Sequence, residues 1–161
     1  MIGKWFADLV SQIKWLLLIA IVAGPGWAYY NWTELEKIKL VAADGAEVAA
    51  VIDGGESRSR RRSGTSYTIH AIWPGEGNVQ HAEDISISSE YAKKIIADDM
   101  LLIETAQIKY MSDGSGPTIV VDDIPQQQAD KQLMIWLGIG AGVIGAIASA
   151  IFFFVGRRRS A

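Results

Sequence analysis

Two long uncharged stretches, Trp15 to Thr33 and Leu133 to Val155, bracket this chain and constrain its fold more than anything between them. A bilayer core takes about 20 mostly apolar residues in helix, and each stretch is long enough. Half of the 161 residues are hydrophobic and the mean hydropathy is positive, an unusual balance for a small soluble domain. The expected architecture is a transmembrane helix over 15–33, a second over 133–155, and a soluble segment between them. That segment holds roughly a hundred residues, enough for one modest core.

Charge orients the arrangement. The N-terminal arm carries Lys4 and Lys14 against Asp8, and the 156–161 tail carries Arg157, Arg158 and Arg159 without an acid. Cationic side chains beside a span are retained in the cytoplasm, so both termini are expected there and residues 34–132 outside it. Lys37 and Lys131 oppose this weakly. A cleaved signal peptide is the competing reading, with Gly26-Trp27-Ala28 as the small-residue site. The length of the apolar run and the cluster Trp27, Tyr29, Tyr30 and Trp32 favour an uncleaved anchor with an aromatic belt. Trp5 and Trp15 join the belt residues as interfacial anchors. In residues 1–14, Ile2, Trp5, Phe6, Leu9, Val10 and Ile13 recur at helical spacing opposite Lys4, Asp8, Ser11 and Gln12, the pattern of a helix lying in the headgroup region.

Within the first span, Gly24-Pro25-Gly26 predicts a kink. No ionisable residue accompanies it, so it reads as a bend and not as a transport path. Leu35, Ile38, Val41 and Ala42 continue the helix as a juxtamembrane extension over 34–45, which Asp44-Gly45 stops through a left-handed glycine cap. Asn31-Trp32-Thr33 matches the glycosylation pattern but lies too close to the membrane to be used.

From Ala46 the period changes to two. Strands are expected at Glu47–Ile52, at Thr65–Trp73 with Tyr67, Ile69, Ala71 and Trp73 on one face, and at Val79–Ile87. Pro74-Gly75-Glu76-Gly77 turns the second strand into the third, and the apolar alternation sets Trp73 opposite Val79, Ala71 opposite His81 and Tyr67 opposite Ile85. Ser88 or Ser89 caps a short helix through Ile96, ended by Asp98-Asp99. Met100–Met111 reads as a strand, and Asp113-Gly114-Ser115-Gly116-Pro117 turns it into a last one, Thr118–Val121. Ile124-Pro125 closes the 46–124 domain, and 125–132 reads as a polar linker. The fold class is α+β: two transmembrane helices flanking a small antiparallel sheet, barrel-like, with one short helix.

Chemistry is sparse. The chain has no cysteine, which excludes disulfides, thiolate metal sites and a cysteine nucleophile. His70 and His81 are the only histidines; the expected register puts them on opposite faces without a third ligand, so no metal site is expected, and His81 is assigned a hydrogen-bonded structural role. The acid pairs Glu83/Asp84, Asp98/Asp99 and Asp122/Asp123 lack a partner base. Gly114-Ser115-Gly116 lacks the lysine of a phosphate loop, and Ser88 or Ser89 with Lys93 carries no dyad signature. No catalytic residue and no cofactor is expected.

Two features remain. Arg58, Arg60, Arg61 and Arg62 lie between the first two strands, as a solvated hairpin tip or as a contact for anionic headgroups or an acidic partner; nucleic acid is not expected on that side of the membrane. Gly138, Gly142, Gly145 and Ser149, at spacings of four, three and four, form a small-residue seam of the kind that lets helix backbones approach closely. It packs either on the first span of the same chain or on another copy.

Several segments carry a resemblance: Glu47 to Ile52, an Arg/Ser-rich loop, the strand bearing Tyr67, Gln80 to Ile87, Ser89 to Ile96, and above all Ile108-Lys109-Tyr110-Met111-Ser112-Asp113 with Thr118 to Asp123. Together with the flanking hydrophobic stretches they resemble a bacterial membrane family called domain of unknown function 3592. The resemblance implies a bacterial inner-membrane protein and transfers no catalytic residue. The expected function is that of a non-enzymatic accessory or interaction subunit, with membrane lipids and either a homo-oligomeric copy or another membrane protein as partners. The alternative is an oligomeric channel or transporter component, against which stands the absence of an ionisable residue inside either span.

Overall fold

A computed structural model of the chain describes residues 2–60, 64–75, 79–97 and 100–158. The fold is α+β, a curled antiparallel sheet with three α-helices. In chain order it comprises α1 (Ile2–Asp44), β1 (Ala46–Arg60), β2 (Gly64–Pro74), β3 (Gln80–Ile87), α2 (Ser89–Ile95), β4 (Ile96–Ala97), β5 (Met100–Leu101), β6 (Thr105–Tyr110), β7 (Ile119–Val120), a 3₁₀ turn at Val121–Asp123 and α3 (Ile124–Arg158). Contacts divide the chain into two units: Met1–Thr33 with Lys131–Ala161, and Glu34–Asp130.

The first unit is a pair of helical segments. Its inward positions are small: Gly24 and Ala28 are buried on α1, and Gly138 and Gly145 on α3. Its outward positions are large and apolar, among them Ile19 and Val22 on α1 and Leu137 and Ile144 on α3, each more than half exposed. This inverts the arrangement of a water-soluble helix pair, whose apolar stripe faces inward. Among the described residues one helical stretch, Val121–Ile151, is long and apolar enough to cross a membrane, and little of it is buried. A soluble core helix of that composition would be buried; this one carries its apolar side chains on the outside, as a membrane-crossing helix does. Residues 125–132, expected as a linker, are helical. Pro125 stands in the first turn of α3, where its missing N–H costs no hydrogen bond and its fixed φ suits the helix, so the polar run from Gln126 begins α3.

The second unit is organised by β1. Its first half pairs with β6, from Ala46 opposite Tyr110 to Val51 opposite Thr105, and its second half with β2, ending at Arg60 opposite Gly64. A register shift between Ile52 and Gly54 leaves Asp53 as the extra residue of a bulge, which bends a strand and increases its twist. The strand order is β3-β2-β1-β6-β7. The sheet curls until its ends meet: the Thr118 hydroxyl, just before β7, donates to Glu83 on β3 (2.6 Å), and the Gln127 amide donates to the Ser86 carbonyl (3.1 Å). The enclosed core holds Ala50, Ile52, Ile69, Ala71, Trp73, Ile85, Ile87, Ile108 and Val120, closed by Tyr91, Ala92 and Ile95 of α2.

The β2–β3 register is offset by two residues from the expected one: Trp73 faces His81, Ala71 faces Glu83 and Tyr67 faces Ile87. An offset of two preserves the faces, so the inward set of β2 is as expected and His70 and His81 lie on opposite sides. Val79 is exposed and precedes β3. The strand expected over Met100–Met111 is broken. Met100–Leu101 pairs locally with Ile96–Ala97, and only Thr105–Tyr110 joins the main sheet. Gly45 is not left-handed; Gly114, at φ +70°, is the one positive-φ glycine among the described residues. Gly45 follows the last residue of α1, its N–H still donating to the Val41 carbonyl (2.9 Å), and a Cβ there would collide with that same oxygen, so the position needs glycine.

Candidate functional site

The inner face of β3 changes character along its length. Ile85 and Ile87 are buried, whereas His81 and Glu83, on the same face, are exposed. The curled sheet is therefore closed by aliphatic residues at one end and lined by polar and aromatic ones at the other. There Trp73, His81, Glu83, Tyr110, Met111 and Thr118, with the β6–β7 turn, surround a pocket of about 300 Å³.

Each wall has a local cause. The Trp73–His81 strand pair brings the two rings to 5.8 Å at an interplanar angle of 17°, a stacked contact. Gly75 makes room for it, since a Cβ at that position would overlap the imidazole. Tyr110, the last residue of β6, tilts against Trp73 (5.6 Å) and His81 (6.4 Å). The rim is a turn in which the Gly114 N–H donates to the Met111 carbonyl (3.0 Å) and the Ser115 N–H donates to the Asp113 carboxylate (2.9 Å). Hydrogen bonds from Ser115 hold the Asp113 carboxyl below its ordinary range. Gly116 lies against the Val41 side chain of α1. Trp73 is 3% exposed, and its indole N–H finds no hydrogen-bond partner among the described residues. Buried donors are almost always partnered, so this orphan sets the pocket apart from the rest of the core.

The opposite face of the sheet carries His70, Asp53 and Asp84. The His70 Nδ1 lies 2.8 Å from an Asp84 oxygen, and its Nε2 lies 3.9 Å from Asp53. The hydrogen bond with Asp84 raises the His70 pKa above its ordinary value, against some desolvation and with help from both negative charges. The hydrogen-bonded histidine is thus His70, whereas His81 is held by ring stacking. Among the described residues no three His, Asp or Glu side chains are grouped to hold a metal ion.

A third polar cluster is internal. Asp123 is fully buried and accepts from the Ser88 backbone N–H (2.8 Å), from the Ser88 hydroxyl and from the Gln127 amide (2.8 Å). Ser88 is the N-cap of α2, its hydroxyl accepting from the Tyr91 N–H (3.1 Å), so the cap and the start of α3 share one carboxylate. Burial, with the nearby Asp122 and Asp123 charges, pushes the Tyr91 phenol up. Lys93 pairs with Glu90 at 2.9 Å and not with a serine.

The residues expected from sequence to form sites fall as follows. Gly138, Gly142 and Gly145 line the contact with α1. A Cβ on Gly138 would lie 2.7 Å from the Gly24 carbonyl oxygen, one on Gly142 3.1 Å from the Pro25 ring, and one on Gly145 3.2 Å from the Ala20 Cβ. Ser149 is half-buried on the same side of α3. The seam left open between the two partners is filled within the chain. Pro25 lies inside an uninterrupted α1, its ring packed in the notch that Gly142 leaves. Arg58 is exposed on β1 and pairs with Glu56 (3.1 Å); Arg60 ends β1, and Arg61 and Arg62 lie outside the described residues. Trp27, Tyr29, Tyr30 and Trp32 are each half or more exposed, packed as Trp27–Tyr30 and Tyr29–Trp32 pairs. Lys131 stands 6.0 Å over the Tyr30 ring. Trp5 and Trp15 lie on α1, and only their backbone is described. Asn31 is buried, its amide donating to the Trp27 carbonyl within the helix.

The aromatic pocket was not anticipated from sequence. Its signal was His81 and Glu83 interrupting the inward alternation of a strand that is otherwise apolar on that face. Comparisons with protein-family models, curated proteins and solved structures found no match.

Proposed function

We propose that this chain is a two-pass protein of a bacterial inner membrane, similar to the domain-of-unknown-function family named above. Both termini are cytoplasmic, and residues 34–132 are displayed outside. It works without catalysing a reaction, as an accessory subunit whose β unit meets a partner protein. The observation that carries this reading is the inverted helix pair: glycine and alanine inside, and large apolar side chains outside on α1 as well as on α3. Lipid chains are the solvent that suits such a surface, and close backbone approach is what holds helices together in that solvent. The exposed Trp27, Tyr29, Tyr30 and Trp32 supply the interfacial belt. That α1 lies along the glycine seam supports this reading over the channel alternative, which relies on assembly through that seam. The partner is a second copy or another membrane protein, engaged through the β unit; nucleic acid is not a partner.

The chain has no cysteine, so single cysteines report topology cleanly. In intact cells a membrane-impermeant maleimide is expected to label Ser115→Cys and to leave Ser160→Cys unlabelled until the membrane is opened; the reverse pattern inverts the topology. Native mass spectrometry of the complex released gently from membranes then tests the accessory role. A defined stoichiometric assembly is expected, and a lone monomer contradicts it.

A further inference from the structure

The pocket at the open end of the curled sheet has a negative wall and no cation to answer it. Glu83 is exposed, and among the described residues that line the pocket none is a lysine or arginine. Its carboxylate accepts from the Thr118 hydroxyl through Oε2 (2.6 Å), which leaves Oε1 open to a ligand. Asp113 stands in the adjoining turn, and its hydrogen bonds with Ser115 favour the ionised carboxyl. Lys109, next to Tyr110 on β6, commits its ammonium to the Ala42 carbonyl (2.7 Å). The remaining walls are apolar or aromatic: the half-buried ring of Tyr110, the exposed ring of His81 and the thioether of Met111. Trp73 serves only as the floor on which the imidazole stacks. These walls select among ligands. An anion is repelled by Glu83, and a neutral molecule leaves its charge unanswered. A bare metal ion needs several oxygen ligands and gains nothing from rings and a thioether. A cation carried on an alkyl stem uses every wall, with methylenes against the rings and Met111 and the positive end at the carboxylate, beside the electron-rich ring faces. A guanidinium grips best through both carboxylate oxygens, one of which already serves Thr118, whereas an ammonium needs only Oε1. The volume of about 300 Å³ lies at the small end of ligand sites, in keeping with one such chain.

We propose that this pocket binds a primary alkylammonium group, its positive end donating to Glu83 Oε1 and its methylene stem lying across Tyr110, His81 and Met111. The site stands on the β unit alone and does not depend on the membrane topology or the accessory role proposed above. A free amine and the side chain of a lysine share this chemistry.

The test uses the full chain in non-ionic detergent, with fluorotyrosine at its five Tyr positions. Tyr110→Phe assigns the Tyr110 fluorine resonance by its disappearance. The expected result is a saturable shift of that resonance on titration with butylammonium at millimolar concentration and constant ionic strength. Butanol, which keeps the stem without the charge, and butyrate, which reverses the charge, are expected to give none, and propylguanidinium is expected to bind more weakly. Glu83→Gln keeps an acceptor for Thr118 and removes the charge, and is expected to weaken butylammonium about fivefold, the upper end of an exposed ion pair. Glu83→Lys is expected to exclude butylammonium and admit butyrate. Unchanged resonances from the other four tyrosines in the free variants show that the fold persists, and the ligand series on the wild type decides the matter without any variant. Blocked lysine (acetylated at its α-amine, amidated at its carboxyl) binding more tightly than butylammonium assigns the source as a protein side chain, and equal or weaker binding assigns a free amine; both support the site. No shift with butylammonium overturns the proposal. So does an equal shift with butanol, tighter binding of propylguanidinium, or an affinity indifferent to Glu83.

Discussion

At Asp123 a single carboxylate serves the starts of two helices, α2 and α3. It takes the Ser88 backbone N–H and hydroxyl from one side and the Gln127 amide from the other. Asp123→Ala leaves the buried Ser88 N–H without an acceptor, and each such orphan costs about 1–3 kcal/mol. A loss of about 3 kcal/mol in unfolding free energy is expected, together with faster hydrogen exchange at the Ser88 and Tyr91 amides. Ser88→Ala removes the N-cap and the shared hydroxyl, and about 1–2 kcal/mol is expected for it. His70 makes a different prediction. Its folded pKa is raised by the bond to Asp84, so the folded state holds the proton more tightly than the unfolded chain. The stabilisation is fully present below about pH 6.5, the ordinary histidine value, and is lost as pH rises through the raised one. The melting temperature of the wild type is thus expected to fall over that window relative to His70→Gln; parallel profiles would show that the pair is too well solvated to contribute. None of this was legible in residue types alone. Asp123 reads as one of a pair of strand-end acids, because its partner Ser88 stands 35 positions away, and adjacency in sequence carries no trace of that closure. His70 and His81 were separable by face, since the period of two is a local property. Which of them is hydrogen-bonded depended on a register that the alternation of apolar residues misjudged by one pleat.

Among the elements, the helix contact is the most directly testable. Gly24, Gly138, Gly142 and Gly145 leave no room for side chains between α1 and α3. Ala20→Cys with Gly145→Cys places two Cβ atoms about 3.2 Å apart, a few tenths short of the roughly 3.5–4.5 Å that a disulfide takes. Oxidation is expected to give an intramolecular bridge, visible as faster migration of a monomer on a non-reducing gel. A covalent dimer instead would place the seam between chains. Gly138→Leu drives a side chain into the Gly24 carbonyl and the Ala28 backbone and is expected to weaken the helix contact by about 2 kcal/mol, as overpacking does. The α3 side of this seam was plain from its glycine spacing. Its complement was also in the sequence, as Ala20, Gly24 and Ala28 at intervals of four, but the eye is drawn to Gly-Pro-Gly as a break. In the fold the break is a packing surface: the Pro25 ring fills what Gly142 vacates. The polar run from Gln126 to Gln132 shows the opposite error. Hydrophobic periodicity cannot announce a helix that has no apolar stripe, and Pro125 at its first turn is a helix start as much as a loop signal. The false strand over Met100–Met111 has a similar origin, because apolar residues such as Leu102 and Ile103 extend the pattern across a segment whose backbone turns to pair locally.

On the scale of the whole molecule, two contact units share two long helices. The small-inside helix pair and the curled sheet draw on different forces. The pair relies on close backbone packing beneath an apolar exterior, the sheet on burial of Ile, Ala and Trp side chains away from water. Disturbing one is therefore expected to leave the interior of the other intact. In Gly138→Leu labelled with fluorotryptophan, the Trp73 fluorine resonance, assigned by its absence in Trp73→Phe, should keep its wild-type position even as the cysteine bridge between positions 20 and 145 forms more slowly. A shifted Trp73 signal would reveal coupling between the units. The order and number of the long elements were readable because length and hydropathy are properties of segments. Closure of the sheet was not, because it rests on a few side chains such as Thr118, Glu83, Gln127 and Ser86 that meet only after folding.

The division of β1 between two partners has one more consequence, for how the chain meets a protease. Beyond Ser57, opposite Tyr67, the hairpin of β1 and β2 has no third strand beside it, since β3 ends at the Tyr67–Ile87 pair and β6 at Val51. Opening that ribbon breaks few hydrogen bonds and exposes no core residue, so it lies at the low end of the molecule's local unfolding costs. Arg58 and Arg60 stand on it. A trypsin-like enzyme should nick the native protein there before anywhere else in Glu34–Asp130. The two pieces should stay together afterwards, held by the pairings of β1 with β6 and with the inner part of β2, and separate only in denaturant.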